Sequence, residues 1–246
     1  MPDAPVTTNH QLVLSLFPGI GVLDRGFEDE GFVIVRGPDL LWGGNIKRFH
    51  VPPGRFDGVI GGSPCQAFTR LMPLIRHHGN KETENLNPEF ERVVTEAHPA
   101  WFVMENIQEA PLPVVPGYVV DPSLLDNRWL GEVQQRRHRF SFGTRDGRRL
   151  YYETTPLEHP DWQSRVCRHV VRLDSGGPAQ KARSVSPERT VAEMCELQGL
   201  PADFFADSPF TVKAQRKMLG NAVALPMARV LARAVREAMS QKEQAA

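Results

Sequence analysis

Apolar residues in this 246-residue chain come in short bursts, most of them closed by glycine or proline. Gln11 to Phe17 (QLVLSLF) has the length of a buried strand, and Pro18-Gly19-Ile20-Gly21 ends it in a tight turn. A helical stretch follows to about Glu30. Phe32 to Arg36 (FVIVR) reads as a second strand, stopping at Gly37-Pro38-Asp39, and Phe56 to Ile60 as a third. Ala67 to Glu84 carries two histidines, a glycine and several charges, and reads as a loop that could serve as a lid. The period then changes to 3.6, with Phe90, Val93, Val94 and Ala97 on one face of a helix over Pro88 to Ala97. Trp101 to Met104 is a strand ending in Glu105-Asn106, and Pro111 to Pro116 a proline-rich connector. Arg139 to Gly143 alternates as a strand should. Thr190 to Gln198 is a short helix. Asn221 to Met239 is a long amphipathic one that turns Val223, Met227, Val230, Leu231, Ala234 and Val235 towards a core. Gly143 to Ser186 has too little periodicity for an assignment.

Strands separated by helical stretches predict an α/β fold. Strand, glycine turn and helix in succession at Gln11 to Glu30 present backbone N–H groups and a helix N-terminus to an anionic ligand group. Composition is that of a soluble globular chain, with 41% hydrophobic and 24% charged residues. No apolar run approaches a membrane helix, and Met1 to His10 has no signal-peptide core, so no membrane partner is expected. Three dispersed cysteines, Cys65, Cys167 and Cys195, argue against a disulfide framework and suit a reducing cytoplasm. Cys167-Arg168-His169 has no second pair at ligand spacing, so no metal site is expected. Net charge is zero, but Arg128 to Arg189 holds 13 Lys and Arg against 7 Asp and Glu. A basic segment on a neutral chain suits contact with a polyanion, and equally a solvated surface.

The stretch Gly61-Gly62-Ser63-Pro64-Cys65-Gln66 places a cysteine on a stiffened loop at a strand exit. A nucleophile and a small buried hydrophobe are both open readings of it. In order along the chain, Phe17-Pro18-Gly19-Ile20-Gly21, this cysteine stretch, Glu105-Asn106-Ile107, Gln135-x-Arg137-x-Arg139, Arg189 to Gly199 and Gly220-Asn221-Ala222-Val223 resemble six blocks of the DNA (cytosine-5) methyltransferase family, of bacterial or bacteriophage type. The resemblance covers most of the chain except Gly143 to Ser186.

It implies an S-adenosylmethionine-dependent methyltransferase fold, Rossmann-like with a mostly parallel sheet, and a small target-recognition lobe. The boundaries expected are 1–143 for the catalytic and cofactor-binding domain, 144–210 for the lobe and 211–246 for a C-terminal helix returning to the large domain. It also implies methyl transfer to carbon 5 of cytosine in DNA, with the base flipped out of the duplex. Cys65 would add to carbon 6, Glu105 would protonate or hydrogen-bond N3, Arg139 would contact the base's carbonyl oxygen and Arg137 the loop or a phosphate. Gln66 and Asn106 belong to the same catalytic blocks. Phe17, Pro18, Gly19, Ile20 and Gly21, with Asn221, Ala222 and Val223, would hold the methionine end of S-adenosylmethionine, and Asn45 and Ile46 its adenine. Arg145, Arg148, Arg149, Arg165, Arg168 and Arg172 would bind the DNA backbone. Such a protein belongs in the cytoplasm of a bacterial cell; whether a cognate restriction enzyme exists is left open.

Four positions depart from the family's pattern. Ser15 stands in place of an aspartate and Gly37 in place of the ribose-binding glutamate, with Asp39 two residues on as a substitute. Asn45 replaces an aspartate, and Gln134 a proline before the arginine block. The short stretch Gly143 to Ser186 leaves little material for groove reading, which implies low or short sequence specificity. A relative acting on RNA or single strands, and a nucleic-acid-binding module without turnover, are the alternative readings.

Overall fold

The computed structural model describes residues 11–68, 84–132, 134–155 and 189–240. Six strands form one mixed sheet: β1 (Leu12–Leu16), β2 (Val33–Arg36), β3 (Gly58–Gly62), β4 (Trp101–Asn106), β5 (Val119–Asp126) and β6 (Arg137–Thr144), in the order β2-β1-β3-β4-β6-β5. The first four strands run parallel. The β5–β6 pair joins β4 antiparallel through β6. The expected mostly parallel α/β sheet is present.

Strand β5 was not read from the sequence. Its residues VVDPSLLD lack clean alternation and contain Pro122. A proline cannot donate to a ladder and is tolerated because β5 lies at the sheet's edge.

Among the described residues, five helices flank the sheet: α1 (Val22–Asp29), α2 (Asn87–Ala97), α3 (Val191–Leu197), α4 (Val212–Asn221) and α5 (Leu225–Ser240). The long helix expected from Asn221 to Met239 is thus two. Ala222 leaves α4 in an extended conformation, and Pro226 fits the opening turn of α5 but could not sit inside a continuous helix. Val212–Ser240 has the mean hydropathy of a spanning segment, but Met227, Leu231 and Val235 are fully buried against the sheet.

One core lies between the sheet and α1 and α5, built on Phe27, Trp101, Phe140, Phe142 and Leu231. A second, with Leu14, Phe90, Val94 and Met104, lies under α2 on the other face. Glycines set the spacing. A Cβ on Gly58 would stand 2.2 Å from the Trp101 ring and one on Gly143 would stand 2.1 Å from Phe102. Each aromatic lies flat across the glycine paired with it on the neighbouring strand. Gly26 lets α1 approach α5, since a Cβ there would come 2.3 Å from that of Ala228.

A third cluster joins Met194, Cys195 and Leu200 to Leu219, Val22 and Leu225. It seats α3 and α4 above the start of α1, at the edge where β1, β3 and β4 end. Most of the Ala67 to Glu84 loop, Arg165, Arg168, Arg172 and the Cys167-Arg168-His169 stretch lie outside the described residues.

Candidate active site

In an open α/β sheet, ligands settle beyond the carboxyl ends of the parallel strands, where the strand order reverses. Here that point lies between β1, whose chain continues to β2 on one side, and β3 on the other. A cleft of about 920 Å³ opens there. Its walls are the β1 turn, the loop after β2, the cysteine loop after β3, Glu105, the start of β6 and the α4–α5 junction.

At one end, the chain leaves β1 through Phe17 with φ 55° and Gly19 with φ 55°, and enters α1 at Gly21 with φ 75°. Only glycine adopts such angles freely. Gly21 offers no side-chain cap, so the first N–H groups of α1 have no side-chain partner from the N-cap position. Space above Gly19 is open. Asp39 braces the turn, its carboxylate accepting from the N–H of Gly19 at 2.9 Å and of Leu41 at 2.7 Å. The Trp42 indole donates to the Gly19 carbonyl at 2.8 Å.

The departures noted in the sequence have structural counterparts. Ser15 donates to Asp24, a buried residue of α1 that also accepts from Arg36 at 2.9 Å. A carboxylate is therefore present beneath the turn, supplied from the helix rather than from the strand. Burial pushes the Asp24 carboxyl above the usual range, against the pull of Ser15 and Arg36. A Cβ on Gly37 would stand 2.8 Å from the Ser15 carbonyl, so the backbone leaves no room for an acid there. Asn45 caps a short turn by accepting from the Lys47 N–H at 3.0 Å, and Ile46 beside it is buried.

At the other end stands Cys65, half-buried on a short turn three residues beyond Gly62. Gly62 pairs with Glu105 across β3 and β4, and the Glu105 Oε2 lies where a Cβ on Gly62 would be, 2.4 Å from that position. Asn106, next along β4, is buried and donates to the Ser63 hydroxyl at 3.0 Å. The Ser63 hydroxyl in turn donates to Asn87 at the head of α2. Asn106 thus fixes the cysteine loop and does not line the cleft. Burial pushes the Cys65 thiol up, the Glu105 carboxylate pushes the same way, and the Arg136 guanidinium opposes both.

The arginine block falls one residue out of step with the site. A strand turns successive side chains to opposite faces, so a slip of one reverses every assignment. Arg139 is buried on the far face, donating to the carbonyls of Gln108 at 3.1 Å, Ala110 at 2.6 Å and Pro111 at 2.9 Å, and it does not line the cleft. Arg137 lies at the cleft's rim over the Trp129 ring and reaches Asp126 at 3.5 Å.

The side chains that meet Cys65 and Glu105 are Arg136 and His138. Arg136 donates to the carbonyls of Gly220 at 2.7 Å and Ala222 at 2.5 Å, tying the α4–α5 junction to the site. Burial pushes its guanidinium down to about 10, and the Glu105 and Cys65 charges resist this. His138 is buried with its Nδ1 on Glu105 Oε1. Arg136 and His138 alternate at the start of β6 with Arg137 and Arg139, the two arginines expected at the site. Phe140 and Phe142 carried the signal: both face the first core, and counting back in twos gives 138 and 136.

Three of the arginines expected on DNA are also placed elsewhere. Because β6 runs antiparallel to β4, its start lies beside the site and its end, Thr144, pairs with Trp101 at the opposite edge. Arg145 and Arg148 follow that end, and Arg149 lies beside β5 at the level of Asp121, none of them lining the cleft. There Arg145 stacks on Tyr118, Arg148 binds the carbonyls that end α5, and Arg149 faces Asp121.

The sheet order, the glycine turn and the cleft beyond it define an α/β methyltransferase fold. Solved structures share it: the Entamoeba histolytica methyltransferase EhMeth superposes with a TM-score of 0.64 at 11% identity, over 94% of this chain and 99% of that one. Dnmt2 methyltransferase of S. pombe does so at 0.56 and 12%, over 93% and 99%. The C-5 cytosine-specific DNA methylase profile matches residues 44–111. The type II methyltransferase M.HgiGI of Herpetosiphon aurantiacus is 30% identical over 120 residues, covering 40% of this chain and 92% of that relative. The chain belongs to the C-5 cytosine-specific DNA methylase family. M.NgoPII of Neisseria gonorrhoeae is 29% identical over 43% of this chain and 36% of the relative, and M.HgiDI of Herpetosiphon aurantiacus 27% identical over 54% and 52%. The chain thus spans about a third to a half of the length of these two.

Proposed function

We propose that this protein transfers a methyl group to carbon 5 of cytosine in DNA, using Cys65 as the covalent nucleophile. The observation that carries the reading is the convergence of Cys65 and Glu105, from adjacent strands, on a cleft that also contains the glycine turn.

S-adenosylmethionine fits the other end of that cleft, where Gly19 leaves open space, α1 lacks a side-chain cap and the turn is braced by Asp39. Phe17 to Ile20 and Asn221 to Val223 would hold it, with Asn45 and Ile46 beneath the adenine. Bound there, it supplies an electrophilic methyl group. The Cys65 thiolate adds to carbon 6, the displaced π electrons pass through carbon 5 and carbon 4 to N3, and Glu105 delivers a proton to N3. Carbon 5, now part of an enamine, takes the methyl group. Loss of the carbon 5 proton and departure of Cys65 restore the aromatic ring, and N3 returns its proton. Arg136 lies where its charge favours the thiolate. Asn106 holds the loop that carries Cys65.

A target base must leave the duplex to reach Cys65 at the foot of the cleft. The target-recognition lobe is expected from residues between 144 and 210. Its short length favours a short target sequence.

The test is transfer of tritium from methyl-labelled S-adenosylmethionine to duplexes of alternating dG and dC or of alternating dA and dT, with single strands and RNA in parallel. Label in the dG–dC duplex as 5-methylcytosine, abolished in Cys65→Ala, supports the proposal. Incorporation only into RNA, or undiminished transfer by Cys65→Ala, overturns it.

A further inference from the structure

We propose that His138 is a positioning residue that shares one titratable proton with Glu105 and so keeps the carboxyl able to donate to N3; the catalytic part of this inference rests on the function proposed above. The juxtaposition is direct. Glu105 pairs with Phe140 across β4 and β6, and His138, two residues before Phe140 on the same face, reaches it diagonally, its imidazole Nδ1 meeting Glu105 Oε1. The ring is buried beside Phe140 and lines the cleft with Glu105.

An arginine in this place would be charged at every working pH. Imidazole is the side chain whose charge changes near neutrality. With Nδ1–H donating to Oε1, the other carboxyl oxygen, Oε2, stays over Gly62 at the cleft wall. One further proton then rests either on Oε2 or on the imidazole Nε2. In the first form Glu105 is neutral and ready to donate; in the second it is a carboxylate held by an imidazolium. The pair has no net charge in either form. When Oε2 protonates N3, the carboxylate left behind is still held by Nδ1–H, and the pair is one proton poorer until N3 gives it back. No oxidant or second reactant is needed.

Among the described residues, the other ionisable groups acting on the pair are Cys65 from the β3 loop, Arg136 before β6 and, from the far face of β6, Arg139. Arg136, though pushed down to about 10, and Arg139 keep their charges over the neutral range. The Cys65 thiol feels the Glu105 charge directly. Its reactivity therefore reports whether the pair holds its proton, with no substrate present.

The experiment measures iodoacetamide alkylation of Cys65 in the full chain, followed by peptide mass spectrometry from about pH 6.5 to about pH 9. His138→Gln keeps a hydrogen-bonding side chain but cannot carry the proton, leaving Glu105 as an uncompensated carboxylate. Alkylation should be at least about threefold slower than in wild type near pH 6.5, the two rates converging near pH 9. Glu105→Gln should alkylate faster than wild type, and the double variant should match Glu105→Gln, because His138 acts through Glu105. A His138→Gln to wild-type ratio that stays flat with pH overturns the proposal. So does a double variant that alkylates as His138→Gln does. Thermal melts identify any variant that has not folded, and Glu105→Gln then supplies the comparison.

Methyl transfer is read separately. Its single-turnover rate should fall on the alkaline side in wild type and lose that limb in His138→Arg. If the alkylation pattern is found but neither protein transfers methyl groups, the proton-sharing pair stands and the proposed function fails. If methyl transfer is found with a flat alkylation ratio, the function stands and the pair fails.

Discussion

At the scale of single residues, the site depends on small groups as much as on reactive ones. Gly62 is the clearest case, since its missing side chain is the space that the Glu105 carboxyl occupies. Gly62→Ala should lower methyl transfer by at least about tenfold by displacing that carboxyl, while shifting stability by no more than about 1 kcal/mol, because the group displaced is the free end of a flexible chain. A thermal melt and an activity assay together check this. Cys65 gives a pH dependence with a definite sign. Burial and Glu105 raise its thiol above the ordinary range, so the thiolate fraction, and alkylation with it, should keep increasing at pH values where an exposed cysteine has levelled off. Arg136→Gln removes the opposing charge, so the Cys65 alkylation profile should move to still higher pH. A shift to lower pH would contradict the electrostatics described for this site.

Among the elements, β6 is the one where sequence and structure part most instructively. The strand itself is legible from Phe140 and Phe142, whereas the fold turns Arg136 and His138 to the cleft and buries Arg139 on the other face. A run such as Gln134-Gln135-Arg136-Arg137-His138-Arg139 offers two alternating sets of side chains, and only the pleat distinguishes them. The two faces make separable predictions. Arg139→Ala should cost about 1–3 kcal/mol in a denaturant titration, because three loop carbonyls lose a charged donor. Arg137→Ala, whose partner Asp126 also binds Arg128, should cost less than about 1 kcal/mol.

Other elements were legible to different degrees. The strands β1, β3 and β4 and the helix α2 showed in the sequence because each buries a continuous or strictly periodic apolar set. The edge strand β5 did not, since an edge tolerates proline and polar residues. The break between α4 and α5 was hidden by apolar residues that continue across it, although Pro226 marks it. The glycine turn and the cysteine loop stood out because tight turns demand glycine and proline. Arg136 and His138 were hidden because their roles come from packing across strands.

At the scale of the molecule, one sheet separates two of the three apolar clusters, and the candidate cleft opens at the edge where the parallel strands end. Close helix packing holds that arrangement. Gly26→Val should destabilise the protein by about 2–4 kcal/mol in urea, since the added methyls must push α1 away from Ala228 and α5. The distribution of charge also takes on a direction. Arg145 and Arg149 sit at the far edge of the sheet, so replacing both with alanine should leave the salt dependence of DNA binding unchanged, as measured by fluorescence anisotropy over a range of salt. A slope reduced by about two would place DNA on that edge instead.

The measurement that reaches the central claim most directly is covalent trapping on DNA containing 5-fluorocytosine, in the presence of S-adenosylmethionine. Fluorine at carbon 5 cannot leave as a proton does, so the reaction should stop after methyl transfer with Cys65 bonded to carbon 6. The account predicts a complex that survives denaturation, maps to the Cys65 peptide and is lost in Cys65→Ala. No adduct on duplex or single-stranded DNA, or an adduct that persists in Cys65→Ala, would contradict it.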